Sequence, residues 1–347
     1  MNRFLIVRLG ALGDIVHAIP VAAALRRAYP TARIDWLVSA RHRAILDLVP
    51  VIDRRLVIND RGDASGGTSL VSALRELRRA RYDVALDLQG LIKSAVLARG
   101  SGAPRVIGFS AAYARERMAR LFYTEAYDPG RGGLFDARET RHVVAINLGM
   151  LGTLGLDVTA PEFPIDPVHS DAASVVSRQT GGRYALLNPG AAWPNKRWPP
   201  ERLAAVAAAL HARHGLMSAV LWGPGEEPLA QAVVAGAGEG AAVASPKTTI
   251  ADLVALARGA ALMVSGDTGP AHIAAAVGTP LVGIYGPTRP SRNGPFSPDD
   301  VTVSRDAVCQ CHHRRRCTRE RMCLLDVEVD EVVDAVERRL SSGVARG

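Results

Sequence analysis

The feature that most constrains the fold of this chain is an alternation of short apolar runs with helix-like segments, which occurs twice. In the first half, the apolar runs 4–7, 34–38 and 84–88 are separated by segments with helical periodicity. In the second half the alternation resumes at 184–187 and continues through 280–285. Strand and helix patterns in this order predict an α/β fold with parallel sheets covered by helices.

A proline-rich stretch near the midpoint separates the two halves. Pro161, Pro164 and Pro167 interrupt regular structure there. A chain of 347 residues is also longer than one hydrophobic core usually organises. We therefore predict two Rossmann-like domains joined by a linker, with a helix closing the chain. The predicted bounds are 1–160 for the first domain, 161–182 for the linker, 183–325 for the second domain and 326–347 for the closing helix.

The charge of the chain favours an anionic partner. The formal net charge is +8, which suits a nucleotide, a phosphorylated glycan, nucleic acid or a membrane surface. Arginine supplies 39 of the 42 basic residues, and the exceptions are Lys93, Lys196 and Lys247. Because a compact ammonium differs from a planar guanidinium in a phosphate pocket, the positions of these three lysines are of interest.

The apolar segments are too short for a membrane span. None approaches the roughly 18 consecutive apolar residues that a transmembrane helix requires. Arg8 and Asp14 interrupt the amino-terminal apolar stretch before it can form the core of a signal peptide. We expect a cytoplasmic protein that does not cross the bilayer.

In the second half, residues 264–272 join an apolar strand to an alanine-rich helix. Pro270 suits the first helical turn, where its missing N–H is not needed. The free backbone donors of Thr268 and Gly269, with the positive end of the helix dipole, predict an anion site suited to a diphosphate. The alternative is an ordinary βα turn capped by Asp267 or Thr268, with His272 packed in the core.

A second candidate segment, 188–199, follows the first strand of the same half and ends where prolines announce a helix. Gly190 allows close backbone approach, and Lys196 offers a point charge to a phosphate at the carboxyl end of the sheet. The alternative for Lys196 is a solvated surface position.

The amino-terminal turn, residues 8–17, is a truncated dinucleotide fingerprint with two glycines three residues apart. Asp14 either caps the helix that follows or serves as a general base at the end of the strand.

Taken together, five segments in register resemble glycosyltransferase family 9, the lipopolysaccharide heptosyltransferases. These segments are 13–14, 87–94, 189–199, 267–272 and 285–288. The resemblance extends over nearly the whole chain. It implies a GT-B fold, in which two Rossmann-like domains face each other across a cleft. The first domain would bind the acceptor and the second the sugar nucleotide, with inversion of configuration and with no metal or cofactor.

The resemblance also implies roles for individual residues. Asp14 is the expected general base. The expected donor-binding residues are Lys196, Asp267, Thr268, Gly269, His272, Glu226 and Lys247. The expected acceptor-binding residues are Gly13, His17, Gln89 and Lys93.

The same resemblance implies the reactants. The donor would be ADP-L-glycero-β-D-manno-heptose and the acceptor a Kdo-lipid A inner core, at the inner face of the cytoplasmic membrane and without a nucleic-acid partner. Residues 89–94 and 265–269 favour heptosyltransferase I, and residues 189–190 before Lys196 favour heptosyltransferase II. We take the first as the expectation and the second, or another family 9 transferase, as the alternative.

The four cysteines form one cluster in sequence, together with His312, His313 and several arginines. They are Cys309, Cys311, Cys317 and Cys323. The spacing lacks paired C-x-x-C knuckles, so we interpret the cluster as structural, with a zinc site as the alternative. The arginines suit either solvent or anionic lipid headgroups.

Two other functional classes are alternatives to the transferase. An NAD-dependent oxidoreductase needs a complete G-x-G-x-x-G after a strand, which this sequence lacks. A nucleic-acid-binding module built on the basic cysteine segment would bind zinc and nucleic acid.

Overall fold

The computed structural model describes residues 2–59, 68–130, 132–134, 136, 139–309, 311, 314–317 and 319–344. The chain divides into two compact units, Met1–Asp166 and Pro167–Gly347. A helix, Asp171–Gln179, lies inside the predicted linker and belongs to the second unit. Ser170 caps this helix by accepting the Ala173 N–H at 3.0 Å, and its hydroxyl also donates to Asp252 at 2.6 Å.

The first unit is built on a parallel sheet of six strands. The strands are β1 Arg3–Val7, β2 Arg33–Ser39, β3 Arg54–Ile58, β4 Val84–Asp87, β5 Arg105–Phe109 and β6 Glu125–Tyr127. Their order across the sheet is β3-β2-β1-β4-β5-β6. β1 and β4 are buried along nearly their whole length, as expected for central strands covered on both faces.

Five α-helices accompany this sheet. They are α1 Leu12–Val16, α2 Ile19–Ala28, α3 Leu70–Ala80, α4 Ile92–Gly100 and α5 Val143–Gly149. The segment with helical periodicity between β1 and β2 forms two helices, α1 and α2, and Pro20 lies in the first turn of α2. A short 3₁₀ helix, Arg117–Phe122, packs against α4.

The second unit repeats this architecture. Its strands are β7 Tyr184–Asn188, β8 Met217–Val220, β9 Ala242–Ala244, β10 Leu262–Gly266, β11 Leu281–Tyr285 and β12 Val301–Ser304. All are parallel, in the order β12-β11-β10-β7-β8-β9. Counted from β7, this is the same winding as in the first unit.

Seven α-helices belong to the second unit in the part of the chain that the structure describes. They are α6 Asp171–Gln179, α7 Pro200–His214, α8 Glu227–Ala237, α9 Ile250–Gly259, α10 Gly269–Ala276, α11 Pro290–Asn293 and α12 Val329–Val344. α9 begins with a capping box: the Thr249 N–H donates to the Asp252 carboxylate at 2.9 Å, and the Asp252 N–H donates to the Thr249 hydroxyl at 3.2 Å. The chain closes on α12, which packs against α7, β11 and β12.

Both sheets therefore have the Rossmann strand order, and the predicted α/β class with two Rossmann-like domains is confirmed. None of the helices in the described part of the chain is long and apolar enough to span a bilayer.

Candidate functional site

In each sheet the strand order reverses beside the first strand, and the predicted site residues follow the two strands at that point. The reversal lies between β1 and β4 in the first unit, and between β7 and β10 in the second. Open α/β sheets bind ligands outside the carboxyl ends of the strands at this switch point. Asp14 and Gln89 follow β1 and β4, and Lys196 and Asp267 follow β7 and β10.

In the second unit, two side chains, those of Lys196 and His272, converge on the carboxylate of Asp267. Lys196 Nζ lies 2.5 Å from Asp267 Oδ2, and His272 Nε2 lies 3.0 Å from Asp267 Oδ1. Asp267 and His272 are buried, whereas the Lys196 side chain keeps 15% of its surface exposed. Residues 71 positions apart in the sequence are thus brought into one ion pair.

This arrangement fixes the charge of Asp267. Burial alone raises the pKa of the carboxyl, but the hydrogen bond with His272 and the charge of Lys196 outweigh burial and hold the pKa of Asp267 well below its usual range. The carboxylate of Asp267 is therefore ionised at any physiological pH, and its negative charge balances the positive charge of the Lys196 ammonium.

Asn188, the last residue of β7, holds the turn that precedes α10. Its side-chain amide donates to Ser265 Oγ and to Thr268 Oγ1, both at 3.0 Å. Thr268 is the N-cap residue of α10, with extended backbone and with no capping hydrogen bond from its own side chain. Asn188 thus orients Thr268 and Gly269 at the end of the helix whose dipole favours anions. The sequence interpretation gave Asn188 no role.

The loop that carries Lys196 is held from two sides. Lys196 Nζ lies 4.6 Å from the centre of the Trp193 ring, and Arg197 donates to the Ala191 carbonyl at 2.8 Å. Arg197 also lies 3.5 Å from Glu226. Glu226 approaches the loop so closely that a Cβ at Gly190 would overlap its carboxylate.

Glu226 and Lys247 follow the next two strands of the sheet. Glu226 accepts the Gly223 N–H at 3.2 Å, and Trp222 donates to the Ser245 carbonyl at 2.8 Å, which joins the segments after β8 and β9. Lys247 is exposed. The structure thus places every predicted donor-binding residue after β7, β8, β9 or β10, at the carboxyl edge of this sheet.

The cysteine segment lies against the Lys196 loop. Cys309, Cys311 and Cys323 are buried together and Cys317 packs against them, with 3.4 Å between the sulfurs of Cys309 and Cys311. All four are free thiols. Across the residues that the structure describes, no group of three or more His, Cys, Asp or Glu side chains is arranged to hold a metal ion. His312 and His313 are outside the described residues.

A buried asparagine makes the contact between the two segments. Asn195 is 3% exposed and donates to the Arg314 carbonyl at 2.9 Å, and the same amide lies 3.9 Å from Cys311 Sγ. Arg315 adds a second cation near the Trp193 ring, 5.9 Å from its centre. The cysteine segment therefore supports the turn Pro194–Lys196 from behind.

In the first unit, Asp14 forms an ion pair that the sequence interpretation did not include. Arg8 Nη2 lies 2.8 Å from Asp14 Oδ2, and Asp14 also accepts the Ala11 N–H at 3.1 Å. Burial raises the pKa of Asp14, but the charges of Arg8 and Arg115 with the Ala11 hydrogen bond lower it below its ordinary value. The lowered pKa keeps the Asp14 carboxylate ionised. About a quarter of the side chain remains exposed, which leaves it accessible to a ligand.

Arg8 also ties β1 to the segment after β4. Its guanidinium donates to the Leu88 carbonyl, and the Leu9 N–H donates to Gln89 Oε1 at 2.7 Å. The carboxyl ends of the two neighbouring strands are thereby held together. The structure brings Asp14 and Gln89 to the same edge of the sheet.

The turn at Gln89 and Gly90 is built on a buried carboxylate. Asp87 accepts hydrogen bonds from Tyr123 and Ser94, and from the backbone N–H groups of Gln89 and Gly90, at 2.7 to 3.3 Å. Burial nevertheless raises the pKa of Asp87. Gly90 has a φ of +70°, and a Cβ there would lie 3.1 Å from the backbone nitrogen of Arg115. Asp87 thus shapes the turn that presents Gln89.

The other predicted acceptor residues differ in exposure. Lys93 is half-buried in the first turn of α4, and Gly13 is buried in α1. His17 is 1% exposed, and its ring lies edge-on against His142 with 5.4 Å between the centres. The roles assigned to these three residues in acceptor binding stay predictions.

The chain is similar to known proteins in sequence and in fold. The family model described as glycosyltransferase family 9 (heptosyltransferase) matches residues 70–323. Lipopolysaccharide heptosyltransferase 1 of Pseudomonas aeruginosa is 30% identical over 323 residues, which cover 91% of this chain and 87% of that protein.

Two solved structures share the fold over their whole length. The glycosyl transferase family 9 protein of Veillonella parvula superimposes with a TM-score of 0.79 at 22% identity, covering 98% of both chains. Escherichia coli heptosyltransferase WaaC with ADP gives a TM-score of 0.71 at 23% identity, covering 99% of both chains.

Proposed function

Because the chain belongs to glycosyltransferase family 9, we propose that it moves heptose from ADP-L-glycero-β-D-manno-heptose to the Kdo-lipid A inner core of lipopolysaccharide. It is an enzyme of heptosyl transfer in lipopolysaccharide core assembly, with the heptosyltransferase I type favoured. The proposal assigns the donor to the second unit and the acceptor to the first.

The observation that carries the donor assignment is the Lys196–Asp267–His272 cluster at the switch point of the second sheet. A diphosphate there would meet the Lys196 ammonium and the amino end of α10. Both are positive, and both are fixed before the ligand arrives. Glu226 and Lys247, after β8 and β9, extend the same edge toward the nucleoside.

The proposed reaction is a direct displacement at the anomeric carbon. Asp14 takes the proton of the acceptor hydroxyl, and the hydroxyl oxygen forms the new bond to that carbon as the bond to the ADP phosphate oxygen breaks. Negative charge grows on the departing ADP. Fixed positive groups at that point, Lys196 and the amino end of α10, stabilise the transition state more than the ground state.

We place the reaction at the inner face of the cytoplasmic membrane, where a lipid-anchored acceptor is presented. Heptosyltransferases I and II differ in whether the acceptor already carries a heptose. Assay of both acceptors with the same donor separates the two types, and the proposal predicts turnover of Kdo-lipid A without a prior heptose.

Substitution of Asp14 tests the catalytic assignment. Asp14→Asn keeps the size of the side chain but cannot take a proton, so we expect turnover to fall by about 10² to 10⁴. Calorimetric titration of ADP should give an unchanged dissociation constant, since donor binding is assigned to the second unit. Asp47→Asn is the matched control, because Asp47 is an exposed, ion-paired carboxylate of the same unit and is remote from the switch-point strand ends in sequence. Substantial turnover by Asp14→Asn would remove Asp14 as the base.

A further inference from the structure

The first unit exposes an unusual share of large apolar side chains. Among the described residues, seven such side chains are exposed, and six of them belong to this unit. Four lie on α4 and on the 3₁₀ helix Arg117–Phe122. They are Ile92 at 40%, Val96 at 40%, Met118 at 58% and Leu121 at 71% exposure. We call these four residues the α4 surface.

The spacing of these residues places them on outward faces. Ile92 and Val96 are four residues apart on α4, so they share one side of the helix, while the intervening Ser94 and Ala95 are buried. Met118 and Leu121 are three apart, which makes them eclipse one another in a 3₁₀ helix, while Ala119 is buried.

The two faces adjoin each other. The 3₁₀ helix packs against α4, and Glu116 accepts the Ile92 N–H at 2.7 Å. The Glu116 N–H in turn donates to the Gly90 carbonyl at 2.9 Å. One network of contacts therefore connects the α4 surface with the Gln89–Gly90 turn that precedes it.

Charge around the α4 surface is almost entirely positive. The segments 92–99 and 115–121 contain five basic residues and one acidic residue. The basic residues are Lys93, Arg99, Arg115, Arg117 and Arg120. The acidic residue, Glu116, is engaged with the backbone of α4. Apolar side chains within a cationic border complement an anionic lipid surface, where the charges meet headgroups and the apolar groups enter the acyl boundary.

We propose that the α4 surface docks the protein on an anionic lipid bilayer. The choice of a bilayer rests on the proposed function, because a lipid-anchored acceptor requires the enzyme to work at a membrane. Docking through α4 brings the bilayer next to residues 89–94, the segment to which acceptor binding is assigned. The arginines between Cys309 and Cys323, considered above for the same role, lie in the second unit, where Val308 is the one exposed large apolar side chain among the described residues.

Vesicle sedimentation of the full chain tests this proposal. The wild-type protein should sediment with vesicles that contain phosphatidylglycerol and remain in solution with phosphatidylcholine alone. The double variant Met118→Ser/Leu121→Ser should weaken binding to the anionic vesicles by about tenfold or more, since two apolar groups no longer enter the bilayer. Val308→Ser is the matched control, because Val308 is 53% exposed but lies in the second unit, and it should bind as the wild type does.

Further measurements separate the possible failures. Both variants should keep the wild-type melting temperature and the wild-type rate on a detergent-solubilised acceptor. Unchanged vesicle binding by the double variant, or binding that ignores lipid charge, overturns the proposal. So does a concentration-dependent dimer, seen by light scattering, that the double variant abolishes. If all proteins bind anionic vesicles as expected but none transfers heptose, the proposed function fails and the docking surface stands.

Discussion

At the scale of single residues, the ion pair between Arg8 and Asp14 favours the ionised form of the Asp14 carboxyl. The two side chains are 2.8 Å apart, and Arg8 also donates to the Leu88 carbonyl. Arg8 therefore sets the charge of Asp14 and holds it at the edge where Gln89 lies. Asp14 must be ionised to accept a proton in the proposed reaction, and the charge of Arg8 favours that ionised form.

Removal of the Arg8 charge should move the acid limb of the pH profile. The lowered pKa of Asp14 means that activity is retained at mildly acidic pH and lost only as the pH falls through that value. Arg8→Gln raises the pKa of Asp14, so the acid limb of kcat/KM should shift to higher pH, with the largest loss of rate below neutrality. The measurement is kcat/KM against pH for both proteins.

The control for this experiment is Arg27→Gln, which removes an exposed cation of the same unit that pairs with Glu162. Its acid limb should coincide with that of the wild type. Coincident profiles for Arg8→Gln and wild type would show that Arg8 does not govern the ionisation of the base.

At the scale of elements, the cysteine segment supports the donor loop. The buried amide of Asn195 joins the turn Pro194–Lys196 to the Arg314 carbonyl and lies near Cys311. Three of the four cysteines that the sequence interpretation takes as structural are buried, but the spacing alone did not indicate which segment they contact. The contact between residues 195 and 314 joins positions 119 apart, and neither has a distinguishing local pattern.

Alkylation should distinguish the four thiols. Burial raises the pKa of Cys309 and Cys323, and that of Cys311 to about 12. For Cys317, burial acts in the same direction, but hydrogen bonds from backbone N–H groups and from Cys311, with the Arg319 charge, lower the pKa. Since the thiolate is the reactive form, iodoacetamide should modify Cys317 first.

Peptide mass spectrometry after a short reaction at neutral pH measures this order. The denatured protein is the control and should react at all four cysteines at similar rates. Faster modification of Cys309, Cys311 or Cys323 in the folded protein would contradict the described burial.

At the scale of the whole molecule, the chain uses one winding twice. Each sheet reverses its order beside its first strand, and each reversal collects residues from distant parts of the sequence. The pattern of strands and helices predicted the α/β class with parallel sheets, because apolar periodicity is a local property, but it did not predict the strands β5, β6, β9 and β12. The partners of the site residues were not predictable in this way. Arg8, Asn188 and Asp87 gain their roles only when neighbouring strands align, and arginines are too frequent in this chain for one of them to stand out.

Hydrogen exchange in the presence of ADP should report which of the two units binds the nucleotide. We expect slower exchange at 188–198 and 266–272 and unchanged exchange at 87–94, because the donor is assigned to the second unit. Lys196→Ala should weaken ADP binding by about 10- to 100-fold, as expected for loss of a charge-assisted contact. Protection should then require a correspondingly higher ADP concentration.

Arg183→Ala is the matched control, since Arg183 is an exposed cation just before β7 and so lies at the opposite edge of the sheet. It should leave the protection pattern as in the wild type. Equal protection of 87–94 by ADP would show that the nucleotide is not confined to the second unit.

The carboxylate of Asp267 beside Lys196 also bears on how readily the product would leave the site. Because Asp267 Oδ2 lies 2.5 Å from the Lys196 ammonium, a diphosphate bound there as proposed would share that cation with the carboxylate. The affinity for the product ADP would then be lower than if Lys196 had no carboxylate partner. ADP would dissociate readily after each turnover, and product inhibition would be correspondingly weak.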